Sequence, residues 1–465
     1  MPDSQLPGSI RSLPVGSRFW ALKVGSLKLT VTRRVRALVV FLLVGVAPSV
    51  CLAQAPVSYR LSFPEAEHRL MQVEVSFDEL PPGPLELHMS RSSPGRYALH
   101  EFAKNVFDVR ITDAAGGVLA VVRPTPHQWN VPSHPGRVRV TYRVYGDRVD
   151  GTYLGIDSTH AHINMPAALM WARGLENRSA TMHVEPPAGS GWRVATQLMA
   201  GADAFTFSAP NLQYLMDSPT EVSAFGLRTF SVNEVAASPV FRLVVHHAGT
   251  DAELDAFALD VQKIVREARH VFGEYPAYEG NTYTFLADYL PWANGDGMEH
   301  RNSTILTSTT SIRSNRIGLL DTISHEFIHG WNIERIRPRS LEPFNFEDAN
   351  MSGELWLGEG FTSYYGPLVL LRAGLTQVDD FAAEMSDVVN AVANRGDKGI
   401  IFLGNHPTKI TQPLVDYLKL RQAGFTPRAW IDEGQLGGKL SKQLITQTHM
   451  IPVPDLGAQD RAVRK

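Results

Sequence analysis

The pentapeptide His325-Glu326-Phe327-Ile328-His329 limits what this chain can fold into more than any other stretch. Two histidines four residues apart on a helix turn their rings to one side, about 40° apart around the axis. From there both neutral imidazoles reach one Zn²⁺ at about 2.0–2.1 Å. Glu326 projects beside such an ion without having to ligate it and can accept a proton from an activated water. Leu319, Leu320, Ile323 and Phe327 form an apolar stripe at helical spacing, and Gly330 and Pro338 supply stops. The histidines point away from that stripe, so one face packs and the other looks into a cleft. The same five letters also arise by chance on solvated helices, and the zinc reading needs a third ligand.

Glu359, in Leu357-Gly358-Glu359-Gly360-Phe361, is the best candidate, at the start of a second helix-like stretch. Glu354 is its rival, although a plain loop carboxylate, or one that supports a ligand, explains that residue better. Two histidines, one glutamate and an open fourth position form the arrangement used for metal-assisted amide hydrolysis. The residues point to a zinc hydrolase.

At 465 residues the chain exceeds one ordinary core and suggests two or three domains. A formal net charge of −3 gives no basic excess for a nucleic-acid partner, so selectivity must come from the site itself. Arg33, Arg34 and Arg36 precede an apolar run at 37–47, followed by the small-residue sites Cys51-Leu52-Ala53 and Ala53-Gln54-Ala55. That run is short for a membrane span and reads as a signal peptide within a leader at 1–55. Cys51 is the only cysteine and would leave with the leader, so the mature chain would have no disulfide. The expected product is exported, periplasmic or extracellular, without a stable membrane span. Its oligomeric state stays open.

Residues 56–240 are β-rich. Val138, Val140, Tyr142 and Val144 alternate with Arg137, Arg139, Thr141 and Arg143, as a half-buried strand requires. Similar runs lie at 72–77, 106–111 and 241–246, separated by Pro and Gly clusters, which suggests a β-sandwich or a related antiparallel assembly. The period changes near Thr250: Leu254, Phe257, Val261, Ile264, Ala268 and Val271 predict an amphipathic helix stopped by Gly273 and Pro276. A second domain over 241–395 therefore mixes a small sheet with helices, with a strand at 281–287 before the zinc helix.

Gly297-Met298-Glu299 lies just before a strand at 303–308 that could border the cleft and pair with an extended substrate. Glu299 would then stand where a peptide's α-ammonium is held, although most single glutamates in loops are merely solvated. His160 and His162 are two apart, as strand ligands would be, but need further ligands; a satisfied or solvated pair is the simpler reading. His246-His247 reads as incidental. Tyr364 and Tyr365 read as packing behind Glu359. No nucleophile elbow or phosphate loop stands out.

The block His325-Glu326-Phe327-Ile328-His329-Gly330-Trp331-Asn332-Ile333-Glu334-Arg335-Ile336-Arg337-Pro338, with Leu355-Trp356-Leu357-Gly358-Glu359-Gly360-Phe361-Thr362-Ser363-Tyr364-Tyr365, resembles the glycyl aminopeptidase family. That family is a branch of the gluzincin metallopeptidases. Ser90-Arg91-Ser92-Ser93-Pro94-Gly95-Arg96-Tyr97 extends the likeness into the β-rich region. The resemblance implies an α+β fold, with an N-terminal antiparallel β domain followed by a thermolysin-like catalytic domain. It implies His325, His329 and Glu359 as ligands of one zinc ion and Glu326 as general base. It also implies Gly297, Met298 and Glu299 as the substrate-binding exopeptidase loop. Family members release small N-terminal residues, Gly or Ala, from peptides with a free N-terminus.

Beyond about Arg395 the likeness ends. Residues 396–465 read as a divergent, shortened segment in which Tyr417 stands alone where relatives carry a Tyr-Tyr pair. Two other functions stay open: a zinc endopeptidase, or a catalytically impaired, zinc-stabilised binding protein.

Overall fold

The computed structural model describes residues 54–232 and 238–394. The expected signal peptide with Cys51 and the segment 396–465 with Tyr417 lie outside the described residues.

Strict polar–apolar alternation builds the first half. Val138, Val140, Tyr142 and Val144 are buried at 0–1% exposure, whereas Arg139 on the same strand faces out. Their strand, Val138–Tyr145, sits in a seven-stranded sheet. The sheet's spatial order is Met199–Ala200, Thr206–Ala209, Ala180–Glu185, Val57–Glu65, Leu70–Phe77, Val138–Tyr145 and Val106–Thr112. The pairing is antiparallel except between Val57–Glu65 and Ala180–Glu185, which run parallel with Val57 opposite Ala180. The expectation of an antiparallel β domain therefore holds for all but one pair. A long crossover joins those two strands, as a parallel pair demands. A three-stranded sheet (Gln128–Val131, Leu85–Met89, Met170–Ala172) and a four-stranded one (Arg193–Thr196, Thr220–Ser223, His160–Ile163, Leu154–Ile156) complete this half.

The second half has one five-stranded sheet, ordered Gly226–Phe230, Val240–His247, Thr282–Tyr289, Ser303–Ser308, Asp296–His300. It takes in Gly226–Phe230, upstream of the boundary at 240 that the change of period suggested. That strand is paired by tertiary contact with Val240–His247, which a local pattern cannot register. Helix Asp251–Phe272 forms as expected. Thr250 and Glu253 make a reciprocal capping box, and Gly273 ends the helix at φ 88°. Its buried Leu254, Phe257, Val261, Ile264 and Ala268 cover one face of the sheet.

The motif helix, Ile312–Ile328, is capped by Ser311. Phe327 is fully buried, with its ring centroid 5.1 to 5.9 Å from those of Tyr283, Trp331, Phe285 and Phe241. The helix is not half open, as an amphipathic stripe would suggest. Ser324, His325 and Glu326 are buried as well, because a loop from the first half and helix Leu355–Arg372 cover that face.

Candidate metal centre

The two halves of the expected ligand set arrive on neighbouring helices. His325 sits in the last turn of the motif helix and His329 is its C-cap. Their Nε2 atoms are 3.1 Å apart. Glu359 projects from the second turn of Leu355–Arg372, placing Oε2 3.9 Å from His325 Nε2 and 3.7 Å from His329 Nε2. Close helix packing makes this possible. A Cβ on Gly366 would lie only 3.4 Å from the Cα of His325, and Ser324 Oγ donates to the Gly366 carbonyl at 2.8 Å.

Hydrogen bonds then set the donor atoms. His329 Nδ1 donates to the Asn332 carbonyl at 3.0 Å, which leaves an Nε2 lone pair facing His325 and Glu359 in the neutral ring. The Asn332 side chain donates to the carbonyls of Leu357 and Gly358 at 2.8 and 2.9 Å, tying the segment after the motif helix to the helix that carries Glu359. Tyr97 donates its hydroxyl to Glu359 Oε1 at 3.0 Å. Burial, reinforced by Glu359 and Glu299, raises the Tyr97 phenol well above its usual range, so it stays a donor. Ligands on one tetrahedral ion with bonds of about 2.0–2.1 Å stand roughly 3.3–3.4 Å apart. Two imidazole nitrogens and one carboxylate oxygen at 3.1 to 3.9 Å fit zinc.

Glu326 is buried and its Oε2 has no hydrogen-bond partner among the described residues. Desolvation, followed by the repulsion of Glu299, Glu359 and Asp296, lifts its carboxyl well above the ordinary range. Its position depends on Gly297, where an added Cβ would meet Glu326 Oε1 at 2.2 Å. Glu299 is 7% exposed, and its carboxylate gathers with Glu326 and His329 so that one ligand atom from each lies within 4.8 Å of the others. Asp296 is held by Arg96 and by the Gly151 amide at 3.0 Å. The pocket is therefore acidic, suited to a cation and to a substrate ammonium.

Two expectations change. Gly297-Met298-Glu299 is not a loop before the bordering strand; it is the middle of Asp296–His300, the last strand of the sheet. Ser303–Ser308 is paired on both sides and offers no free edge. Met298 is fully buried beneath Gly95, where an added Cβ would stand 2.3 Å from Met298 Sδ. It supports the strand without exposing a side chain to substrate. Glu354 is the exposed N-cap of Leu355–Arg372, bound by the Ser352 hydroxyl. Tyr365 packs on Phe272, and Tyr364 stacks edge-on with Phe381. Tyr97 is a site residue to which the sequence alone assigns no role. Its only signal is its place in Pro94-Gly95-Arg96-Tyr97, far from the motif in sequence.

The fold and this site define a metallopeptidase with an N-terminal β domain. Residues 58–224 match the Peptidase M61 N-terminal domain, and residues 318–401 match M61 glycyl aminopeptidase. The chain belongs to the M61 glycyl aminopeptidase family and is a peptidase. Family membership brings a metal cofactor and aminopeptidase activity on peptides. The fold is similar to that of an aminopeptidase N family protein from Idiomarina loihiensis, 20% identical, over 85% of this chain and 70% of that one, with a TM-score of 0.67. An M1 zinc metallopeptidase from Deinococcus radiodurans aligns over 85% of this chain and 93% of its own at 16% identity, with a TM-score of 0.43. No curated protein matches the sequence significantly. No helix among the described residues is long and apolar enough to cross a membrane.

Proposed function

We propose that this chain is a zinc aminopeptidase that releases small N-terminal residues, Gly or Ala, with one zinc held by His325, His329 and Glu359. The observation that carries the exopeptidase reading is Glu299, a nearly buried carboxylate on the sheet edge beside Glu326. A free α-ammonium is the part of a peptide that such a group can hold. An extended substrate can add to the Asp296–His300 edge by main-chain hydrogen bonds, which aligns its first peptide bond with Glu326.

Zinc, when bound, supplies a Lewis acid that activates water and polarises the scissile carbonyl. Glu326 accepts the water's proton and delivers it to the leaving amine. Its burial keeps competing water away from that carboxylate. Tyr97 orients Glu359 from the far side, and Asn332 fixes the His329 ring. A preference for small residues is supported by the family alone.

The apolar run at 37–47 after Arg33, Arg34 and Arg36 supports export of the mature chain to the periplasm or medium.

The test is hydrolysis of glycyl- and alanyl-p-nitroanilide, with N-acetylated counterparts alongside. Turnover of the free amines alone, lost on chelation and restored by zinc, is expected. Equal turnover of the acetylated compounds would turn the reading to an endopeptidase.

A further inference from the structure

The two histidines whose spacing reads most simply as a satisfied or solvated pair are among the most buried polar residues described. His160 and His162 lie on strand His160–Ile163 at 0% and 2% exposure. Glu221 stands directly opposite His162 on Thr220–Ser223. Across from them, on the five-stranded sheet, His246 is paired with Asp288. The sheet face bearing His246 and Asp288 also bears Val244 and Leu286, which pack with Ala195 and Phe225 from the first half. Four strands from two sheets thus converge on three histidines and two carboxylates at the junction of the domains.

The donors are arranged as ligands are. His160 Nδ1 is 3.1 Å from Asp157 Oδ1, so that carboxylate holds one ring nitrogen and turns the other inward. His160 Nε2 is buried and unpartnered among the described residues. A histidine whose far nitrogen is held by a carboxylate is the usual form of a metal-ligating histidine. His246 Nδ1 is 3.5 Å from Asp288 Oδ1 and 3.9 Å from Glu221 Oε1. His160, His246 and Asp288 each offer a ligand atom within 4.8 Å of the others. Both ring nitrogens of His162 are committed, to Asp288 Oδ2 at 2.7 Å and the Asp150 carbonyl at 3.0 Å. It therefore orients Asp288 and does not ligate.

The strongest sign is Glu221. It is 1% exposed, and neither carboxylate oxygen has a hydrogen-bond partner among the described residues. Asp288, equally buried, is held through Oδ2 by His162, and its Oδ1 lies 3.5 Å from His246 Nδ1. A buried carboxylate left like Glu221 is costly unless it keeps its proton or a cation answers it. Two neutral imidazoles and two carboxylate oxygens form a donor set for a divalent first-row metal. His246 also lines a cavity of about 550 Å³ beside Arg193, Phe225 and His247, which gives a route of entry.

We propose that His160, His246, Asp288 and Glu221 form a second, structural site for a divalent transition metal that joins the N-terminal domain to the catalytic sheet. It is separate from the motif site and carries no step of hydrolysis. Three of the donors are gathered, and Glu221, 3.9 Å from His246, stands beside them as the fourth that would close the site.

The test counts zinc in the full chain by elemental analysis after dialysis against ZnCl₂ and then metal-free buffer. The double variant His325→Ala/His329→Ala removes the motif site and leaves the junction intact. It should keep one zinc per chain and gain thermal stability from ZnCl₂. Adding His160→Ala and His246→Ala should abolish both. Asp157→Asn in the motif-site double variant should weaken zinc binding by about 10–100-fold without unfolding it. No zinc retained by His325→Ala/His329→Ala, while circular dichroism shows it folded, would overturn the proposal. So would zinc that survives all four substitutions. Because the deciding variant leaves the junction untouched, misfolding of the quadruple variant does not obscure the answer.

Discussion

The protein gathers histidines and carboxylates in two buried places, and they are built in opposite ways. At the motif site, two donors come from one turn of one helix and the third from the helix packed against it. At the domain junction, each donor comes from a different strand: His160, His246 and Asp288 are brought together by cross-strand pairing and sheet packing, with Glu221 beside His246. Local helical geometry makes the first site recognisable from five letters. The second exists only once two sheets have been laid against each other. The difference teaches that readability follows contact order, with the chemistry much the same in both.

The comparison can be broken or sharpened at several points. The largest effect is expected at Glu326, the one group of either cluster assigned to proton transfer. Glu326→Gln should lower kcat by about 10²–10⁴-fold while zinc content stays unchanged. Full turnover in that variant would remove the proposed base. Gly297→Ala follows. The added methyl would collide with the Glu326 carboxylate, and kcat/KM should fall at least about ten-fold with Tm nearly unchanged. Kinetics matching the parent enzyme would mean that Glu326 works from another position.

Tyr97→Phe tests how far the first half of the chain serves the motif site. Loss of the bond to Glu359 should weaken zinc binding by about 10–100-fold, read by competition with a chelator. An unchanged zinc affinity would confine the N-terminal domain to packing. Arg96 shares that loop and pairs with Asp296, so Tyr97 is the cleaner probe.

The smallest effect concerns stability against pH. Burial lifts Asp321, on the motif helix, to about 6, above the ordinary value of roughly 4. Between those values the folded chain keeps a proton that the unfolded chain has released. Stability therefore falls as pH rises from about 4 to about 6 and stays lower above it. Glu384, which faces Asp321, is raised as well and acts in the same direction. Asp321→Asn should flatten part of the fall and raise Tm at neutral pH by a few degrees at most. A slope of Tm against pH equal to that of the parent would acquit Asp321.

Much of the second half is readable because its signals are local. Leu254, Phe257, Val261 and Ile264 repeat at helical spacing, and Gly273 supplies the left-handed stop. The strand Val138–Tyr145 is equally plain, since alternation is a property of neighbours. Two features mislead. Ser303–Ser308 looks like the border of the cleft, yet the next strand over takes that place, and strand order is set by pairing. The burial of the histidine face of the motif helix is also hidden, because its cover comes from Ser90–Tyr97 residues and from Leu355–Arg372.

By itself, then, the sequence determined the helix that carries His325, Glu326 and His329, the alternation of the first half, and the candidacy of Glu359 and Glu299. Each rests on periodicity within a few turns or on a short motif. Only the tertiary structure decided that Glu299 stands on the sheet edge beside Glu326, that Tyr97 reaches Glu359, and that His160 meets His246. Those contacts span long stretches of chain, and packing between elements specifies them where no local period can.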